Sequence, residues 1–241
     1  MPRIRVIDFE TTGMEPPAEV CEVGKCDLYL RDGETEWTVN PLPVSYLCGV
    51  KSMPAEVRAI HHITLAETEG WAPFMDGVLW SDCDGDSVDV IAAHNAEFEA
   101  KFWGSPPLPV ICTYKAALRV WPEAPSHSNG ALRYWLEDQG LLRLHHETAM
   151  PPHRAGPDAY VTAHILKALL SEATARQMAA WTKEPRLLPK CTLGKFRGVP
   201  WPEVETGFLT WMLNQATMEV DLKWNAQREL DRRRNVDNPV L

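Results

Sequence analysis

Residues 6–13 read Val-Ile-Asp-Phe-Glu-Thr-Thr-Gly, and no other stretch restricts the fold as tightly. Val6 and Ile7 belong to a short buried strand over residues 3–8, yet Asp8 and Glu10 follow two positions apart. Side chains two apart on a strand point to the same face. Two carboxylates therefore stand side by side at the end of an apolar segment, where like charges repel and desolvation is costly. Something must offset that repulsion.

The pattern downstream supplies a sheet for this strand. Residues 19–30 and 36–40 read as two further strands with a turn between them. Residues 89–94 and 108–112 read as short buried strands, each leading into a helix, at 95–103 and 113–121. Short helices are expected at 54–60 and 72–80. An amphipathic helix over 128–140 ends at Gly140, and 157–180 is the longest helical stretch. The order points to an α/β protein with a mixed sheet flanked by helices. Pro185 and Pro189 mark a boundary. The expected organisation is a domain over 1–180, a linker over 181–190 and a small C-terminal helical module over 191–241, with helices near 207–214 and 218–234.

Composition narrows the function. No apolar run approaches the roughly 20 residues of a membrane span, and the first residues lack the apolar core of a signal peptide. The six cysteines contain no CxxC pair, so reduced thiols are expected rather than disulfides or zinc ligands. These features lead to the expectation of a cytoplasmic protein. A net charge of −9 argues against wrapping DNA by charge alone. Over residues 180–241, however, 10 Lys and Arg face 8 Asp and Glu. A polyanionic partner would need that basic tail or bound cations. The acidic stretch 81–89 reads as a solvated loop, because its Gly85 is misplaced for a calcium loop and Ala93 stands where the bidentate Glu belongs.

Further positions break their local pattern. On a helix starting near Asn95, Asn95 and Glu99 share a face while Glu97 points away. Pro157 fits a first helical position, which puts Asp158 in a first turn where the dipole favours an anion. Asp158 also begins the apolar stripe 158, 161, 162, 165, 166 and 169. His153 precedes this helix in a loop. Each residue taken singly has a structural explanation: a cap, a dipole partner, a surface histidine. Together they suit divalent metal chemistry. Mg²⁺ takes hard oxygen ligands, paired carboxylates can share two ions, and a neutral histidine can accept the proton of an attacking water.

Residues 8–13 (DFETTG), 94–99 (HNAEFE) and 153–159 (HRAGPDA) resemble, in order, the three exonuclease motifs of the DEDD superfamily, in the subclass with histidine in the third motif. Residues 59–64 (AIHHIT) resemble a segment that often lies between the first two motifs, and residues 111–132 and 192–214 extend the similarity over most of the chain. The resemblance implies a ribonuclease H-like fold and 3′–5′ hydrolysis of DNA, at single-stranded or frayed 3′ ends, to 5′-mononucleotides. It implies two Mg²⁺ ions, replaceable by Mn²⁺, on Asp8, Glu10, Glu99 and Asp158, with His153 as general base. It also implies that the backbone around Phe9, Thr11 and Thr12 meets the terminal nucleotide, with His61 and Asn95 as further substrate contacts. One departure stands out: the second motif normally carries Asp where this chain has Glu99.

RNA is the alternative substrate, since 2′-hydroxyl contacts depend on pocket geometry. A nucleic-acid-binding module with an impaired site is the non-enzymatic alternative. In the C-terminal module, Lys195, Arg197, Arg228 and 232–234, with Trp201 and Trp211, are either a nucleic-acid surface or a core with a solvated helix face.

Overall fold

The computed structural model describes residues 1–80, 87–104 and 106–237. The acidic loop expected at 81–89 lies largely outside them. By internal contacts the chain divides into two units, 1–116 with 124–182, and 117–123 with 183–241.

The first unit is built on a six-stranded mixed sheet. β1 (Arg3–Thr11) pairs antiparallel with β2 (Val20–Tyr29) on one side and parallel with β5 (Val90–Ala93) on the other. β3 (Thr38–Val39) and β4 (Val44–Leu47) each pair with part of β2, and β6 (Val110–Cys112) lies parallel to β5. β1 is longer than the apolar run predicts. It continues past the two carboxylates to Thr11, where a bulge shifts the register against β2. Bulges bend a strand and re-aim its side chains, and they concentrate beside active sites. β4 was not legible in the sequence, because it is a short edge strand with two exposed residues.

β1 is covered on both faces. Ile7 and Phe9 face a cluster with Val23, Leu79, Ile91, Ala93 and Trp103, and Phe9 meets Phe74 and Trp103 edge-on. The helices in chain order are α1 (Ala55–His61), α2 (Leu65–Thr68), α3 (Gly77–Trp80), α4 (Thr113–Val120), α5 (Asn129–Asp138), α6 (Ala155–Glu172) and α7 (Ala175–Thr182). α6 packs against β1 and β2. Its stripe is as expected: Val161, Thr162, Ile165, Leu166 and Leu169 are all buried. The helical stretch expected over 157–180 is two helices, and it begins earlier. Arg154 is the N-cap of α6, which makes Pro157 its third residue; this is tolerated because the first N–H groups of a helix have no partner inside it.

The helix expected over 95–103 is not an α-helix. Asn95 takes a left-handed conformation with φ 69°, which a continuing helix cannot include, and only the 3₁₀ turn Glu99–Lys101 follows. Ala96, Phe102 and Trp103 seat this turn on the core.

The second unit has its own core of Cys191, Trp201, Val204, Leu209, Met212, Leu222, Ala226 and Leu230. α8 (Thr206–Leu213) and α9 (Val220–Asp237) carry most of it. Trp201 is core, with its indole N–H donated to Leu188 O at 2.7 Å, so it offers no stacking face. Arg233 bonds Thr206 Oγ1 and the carbonyls of Trp201, Pro202 and Val204. Lys195, Arg232 and Arg234 pair with Glu205, Glu229 and Asp231. For these residues the structural explanation accounts for the contacts.

Candidate active site

Strand direction gathers the carboxylates. β5 runs parallel to β1, so both strands end at the same edge of the sheet. The C-terminal end of β1 presents Asp8 and Glu10, and the turn after β5 brings Glu99 to that edge. The first turn of α6 supplies Asp158. Ligand oxygens of Asp8, Glu10 and Asp158 all lie within 4.8 Å of one another. Residues 150 positions apart thus share one small volume.

A glycine makes this approach feasible. Gly24 is the cross-strand partner of Asp8, and a Cβ there would lie 1.9 Å from the carbonyl oxygen of Ala155. Only a bare backbone lets α6 begin so close to the sheet. Gly156 repeats the device, since its Cβ would come within 2.9 Å of Ser45 Cβ.

Burial and mutual repulsion outweigh the compensation that the described residues give these carboxylates. Burial, and then the charges of Asp158, Glu10 and Glu99, hold Asp8 well above the usual carboxylate range. Burial and the charge of Asp158 likewise raise Glu10, with Arg154 partly opposing. Glu99 is 3% exposed; burial, reinforced by Glu10, pushes it up to about 8. Glu99 Oε2 is buried with no hydrogen-bond partner. Burial raises Asp158 too, although the His153 amide, donating to Asp158 Oδ2 at 2.9 Å, pulls the other way. Buried carboxylates with an orphaned oxygen fit a divalent cation.

His153 is exposed, at φ 60°, in the turn that leads into α6. Its backbone is tied to Asp158, and its imidazole is left to solvent. Glu97 points away from Glu99 as expected and pairs with Lys115 at 2.7 Å.

The expected substrate contacts fall into three kinds. The Phe9 ring is core, and Thr11 and Thr12 are buried with their hydroxyls spent locally: Thr11 Oγ1 donates to Gly13 O, and Thr12 Oγ1 accepts from Glu19 N. What these three residues can offer a ligand is backbone. Asn95 is exposed and free of the helix that was to align it with Glu99. His61 departs from expectation. It is 2% exposed, its Nδ1 accepts from Ile63 N at 3.0 Å, and it bonds the Thr11 backbone. It braces the end of β1 rather than facing a ligand.

Two supporting residues were not singled out from the sequence. His94 ties the ends of β5 and β6 together: Nε2 donates to His127 O at 2.8 Å and Nδ1 lies 2.9 Å from Thr113 Oγ1. Burial pushes its imidazole down to about 4, so it is a neutral strut. Glu22, opposite Glu10 on β2, is 2% exposed and pairs with Arg154. Burial would raise Glu22, but hydrogen bonds from Arg154, Ser45 and Ala155 together hold it below its ordinary value. The available signal was a lone carboxylate inside the apolar run Val20–Val23, the same anomaly that exposed Asp8.

Comparison with known proteins agrees with this architecture. The chain is 32% identical over 243 residues to exodeoxyribonuclease 10 of Escherichia coli strain K12, covering 95% of this chain and 99% of that protein. It superposes on exonuclease X in complex with 5′ overhanging duplex DNA with TM-score 0.57 at 29% identity, covering 74% of this chain and 99% of that one. E. coli exonuclease I in complex with a dA16 oligonucleotide shares the fold (TM-score 0.51, 15% identity, 75% and 43% covered). No protein-family model matches the chain. The mixed sheet and its flanking helices are thus a ribonuclease H-like fold, of the kind found in exonucleases. The chain belongs to the exonuclease X branch of the DEDD exonucleases and is a nuclease.

Proposed function

We propose that this protein is a 3′–5′ exodeoxyribonuclease that removes 5′-mononucleotides from single-stranded or frayed DNA ends. The observation that carries the reading is the cluster of Asp8, Glu10 and Asp158 oxygens within 4.8 Å of one another. Glu99, outside that group but charged against Asp8 and Glu10 and with its Oε2 buried and unpartnered, is the fourth candidate ligand. These four residues would hold two divalent ions, Mg²⁺ or Mn²⁺. When bound, the ions neutralise the carboxylates, polarise the attacking water and offset charge at the scissile phosphate.

The protein's own groups do the rest. His153, exposed beside Asp158, accepts the proton of the attacking water. Its backbone N–H donates to Asp158 Oδ2 at 2.9 Å, which holds the residue beside that carboxylate. The backbone of β1 beyond Phe9 borders the last nucleotide, and exposed Asn95 is a further contact. Because the terminal nucleotide must be held singly, an unpaired or frayed end is the natural substrate. Similarity to a named exodeoxyribonuclease and to a nuclease solved with overhanging DNA supports DNA as the substrate.

The test is digestion of matched DNA and RNA oligonucleotides with Mg²⁺, with Mn²⁺ and with EDTA. Metal-dependent release of deoxynucleoside 5′-monophosphates, well ahead of the RNA product, is expected. Faster digestion of RNA would reassign the substrate, and no digestion in any metal would reduce the protein to a binding module.

A further inference from the structure

We infer that Glu22 and Arg154 form a clamp that positions the His153–Asp158 turn against β1, so that this pair governs how well the carboxylates hold metal. The inference deepens, and rests on, the metal site proposed above. Glu22 is the carboxylate nearest in register to Glu10, yet it has no free lone pair to offer an ion. Its Oε1 accepts from Ser45 Oγ at 2.7 Å and Arg154 Nη2 at 2.7 Å. Its Oε2 accepts from Arg154 Nε at 3.0 Å and from the Ala155 amide at 3.0 Å. Two oxygens have about four acceptor positions between them, and all four are filled.

The placement of those donors is what gives the pair a role. Ser45 lies on β4, Glu22 on β2, and Arg154 and Ala155 at the start of α6, so a single carboxylate joins three elements at one point. Arg154 directly follows His153, and Ala155 opens the helix that carries Asp158. The turn is therefore pinned from both sides. Glu22 holds the Arg154 guanidinium and the Ala155 N–H, and Asp158 Oδ2 holds the His153 N–H at 2.9 Å. His153 sits at φ 60°, a conformation that a non-glycine residue keeps only when its surroundings impose it. A bidentate guanidinium–carboxylate pair fixes both distance and angle, which a single-point contact cannot do. Glu22 and Arg154 are positioning residues: they act on the reaction through His153 and Asp158.

The test uses the full chain with Glu22→Gln, Arg154→Met and Arg154→Lys. Arg154 is the safer position, because its side chain is 36% exposed against 3% for Glu22. Mn²⁺ affinity is measured by calorimetry on metal-free protein, kcat and KM on a single-stranded oligonucleotide, and folded fraction by thermal melting in EDTA. Loss of an outer support for metal ligands costs roughly 10–100-fold in metal affinity or activity. A loss of that size is expected in Mn²⁺ affinity and kcat for Arg154→Met, with KM within about twofold and the protein still folded. Arg154→Lys should not rescue it, since an ammonium cannot replace the fork. Folded Arg154→Met with wild-type Mn²⁺ affinity and kcat would overturn the inference. So would losses that only track the folded fraction. If the wild type neither binds Mn²⁺ nor cuts DNA, the proposed function fails instead. The amide resonance of His153 in metal-free protein then decides the clamp alone, read in Glu22→Gln, which is distant in sequence: it moves if the clamp holds the turn and stays put if it does not.

Discussion

At the scale of single residues, Glu99 ties stability and activity together. Its oxygen is buried without a partner, and its carboxyl is held up at about 8 in the metal-free protein. In the unfolded chain the same group ionises near 4.5. The native state therefore retains a proton that the unfolded state releases. Its full contribution to stability is present below the unfolded value and is lost as pH rises towards 8, at about 1.4 kcal/mol per unit. Metal-free protein should melt at progressively lower temperature from pH 5 to pH 8. Glu99→Gln, which cannot ionise, should flatten that slope and melt several degrees above the wild type at pH 8, with no advantage at pH 5. An unchanged slope in the variant would remove Glu99 from the cluster. The same substitution should abolish nuclease activity, as should Glu99→Ala, whereas Glu99→Asp, which restores the residue usual in the motif, should retain it. His153→Ala is expected to lower kcat by roughly 10²–10⁴-fold, the ordinary worth of a general base, without shifting the melting temperature. A kcat near that of the wild type in stopped-flow digestion would exclude His153 from proton transfer.

At the scale of elements, the site depends on how closely α6 approaches the sheet. Gly24→Ala sets a methyl group against the Ala155 backbone, which cannot yield as a flexible side chain would. The first turn of α6 must move, and Asp158 moves with it. Mn²⁺ affinity, measured by calorimetry, should fall at least about tenfold while the circular dichroism spectrum remains native; an unaltered affinity would show that α6 approaches differently.

The elements also show what the sequence could and could not reveal. β5 and β6 were legible as short apolar runs, β1 by the apolar run before its carboxylates, and β2 by the turn residues that separate it from the next strand. The stripe on α6 was legible because its period is helical. The helix expected after β5 is replaced by a 3₁₀ turn, since a helical spacing of Asn95 and Glu99 says nothing about a left-handed φ at Asn95. Asp8, Glu10 and Asp158 could be found as charges in apolar surroundings, and they do come together. Glu22 shows the same signal, but its partner Arg154 lies more than a hundred residues away, in a segment where nothing local marks the arginine. The resemblance implies a substrate contact at His61, and its burial does not show in the sequence because it comes from tertiary packing on the end of β1.

At the scale of the whole molecule, charge frames the chemistry. A chain of net charge −9 that acts on a polyanion must compensate where the two meet. In the first unit the proposed metal ions would supply that compensation at the carboxylate cluster. In the second, where the sequence leaves a nucleic-acid surface and a solvated helix face equally open, Lys195, Arg232, Arg233 and Arg234 are engaged with neighbouring carboxylates or carbonyls. Among the described residues no helix is long and apolar enough to cross a membrane, and the five described cysteines are free thiols. The proposed chemistry requires that Glu99 join Asp8, Glu10 and Asp158, whose oxygens already converge, in holding divalent ions. Anomalous scattering from crystals soaked in Mn²⁺ with a deoxynucleoside 5′-monophosphate measures this directly. Two manganese peaks are predicted, each about 2.0–2.2 Å from oxygens of Asp8, Glu10, Glu99 or Asp158, with the nucleotide phosphate beside them. Soaked crystals with no peak at these carboxylates would contradict it.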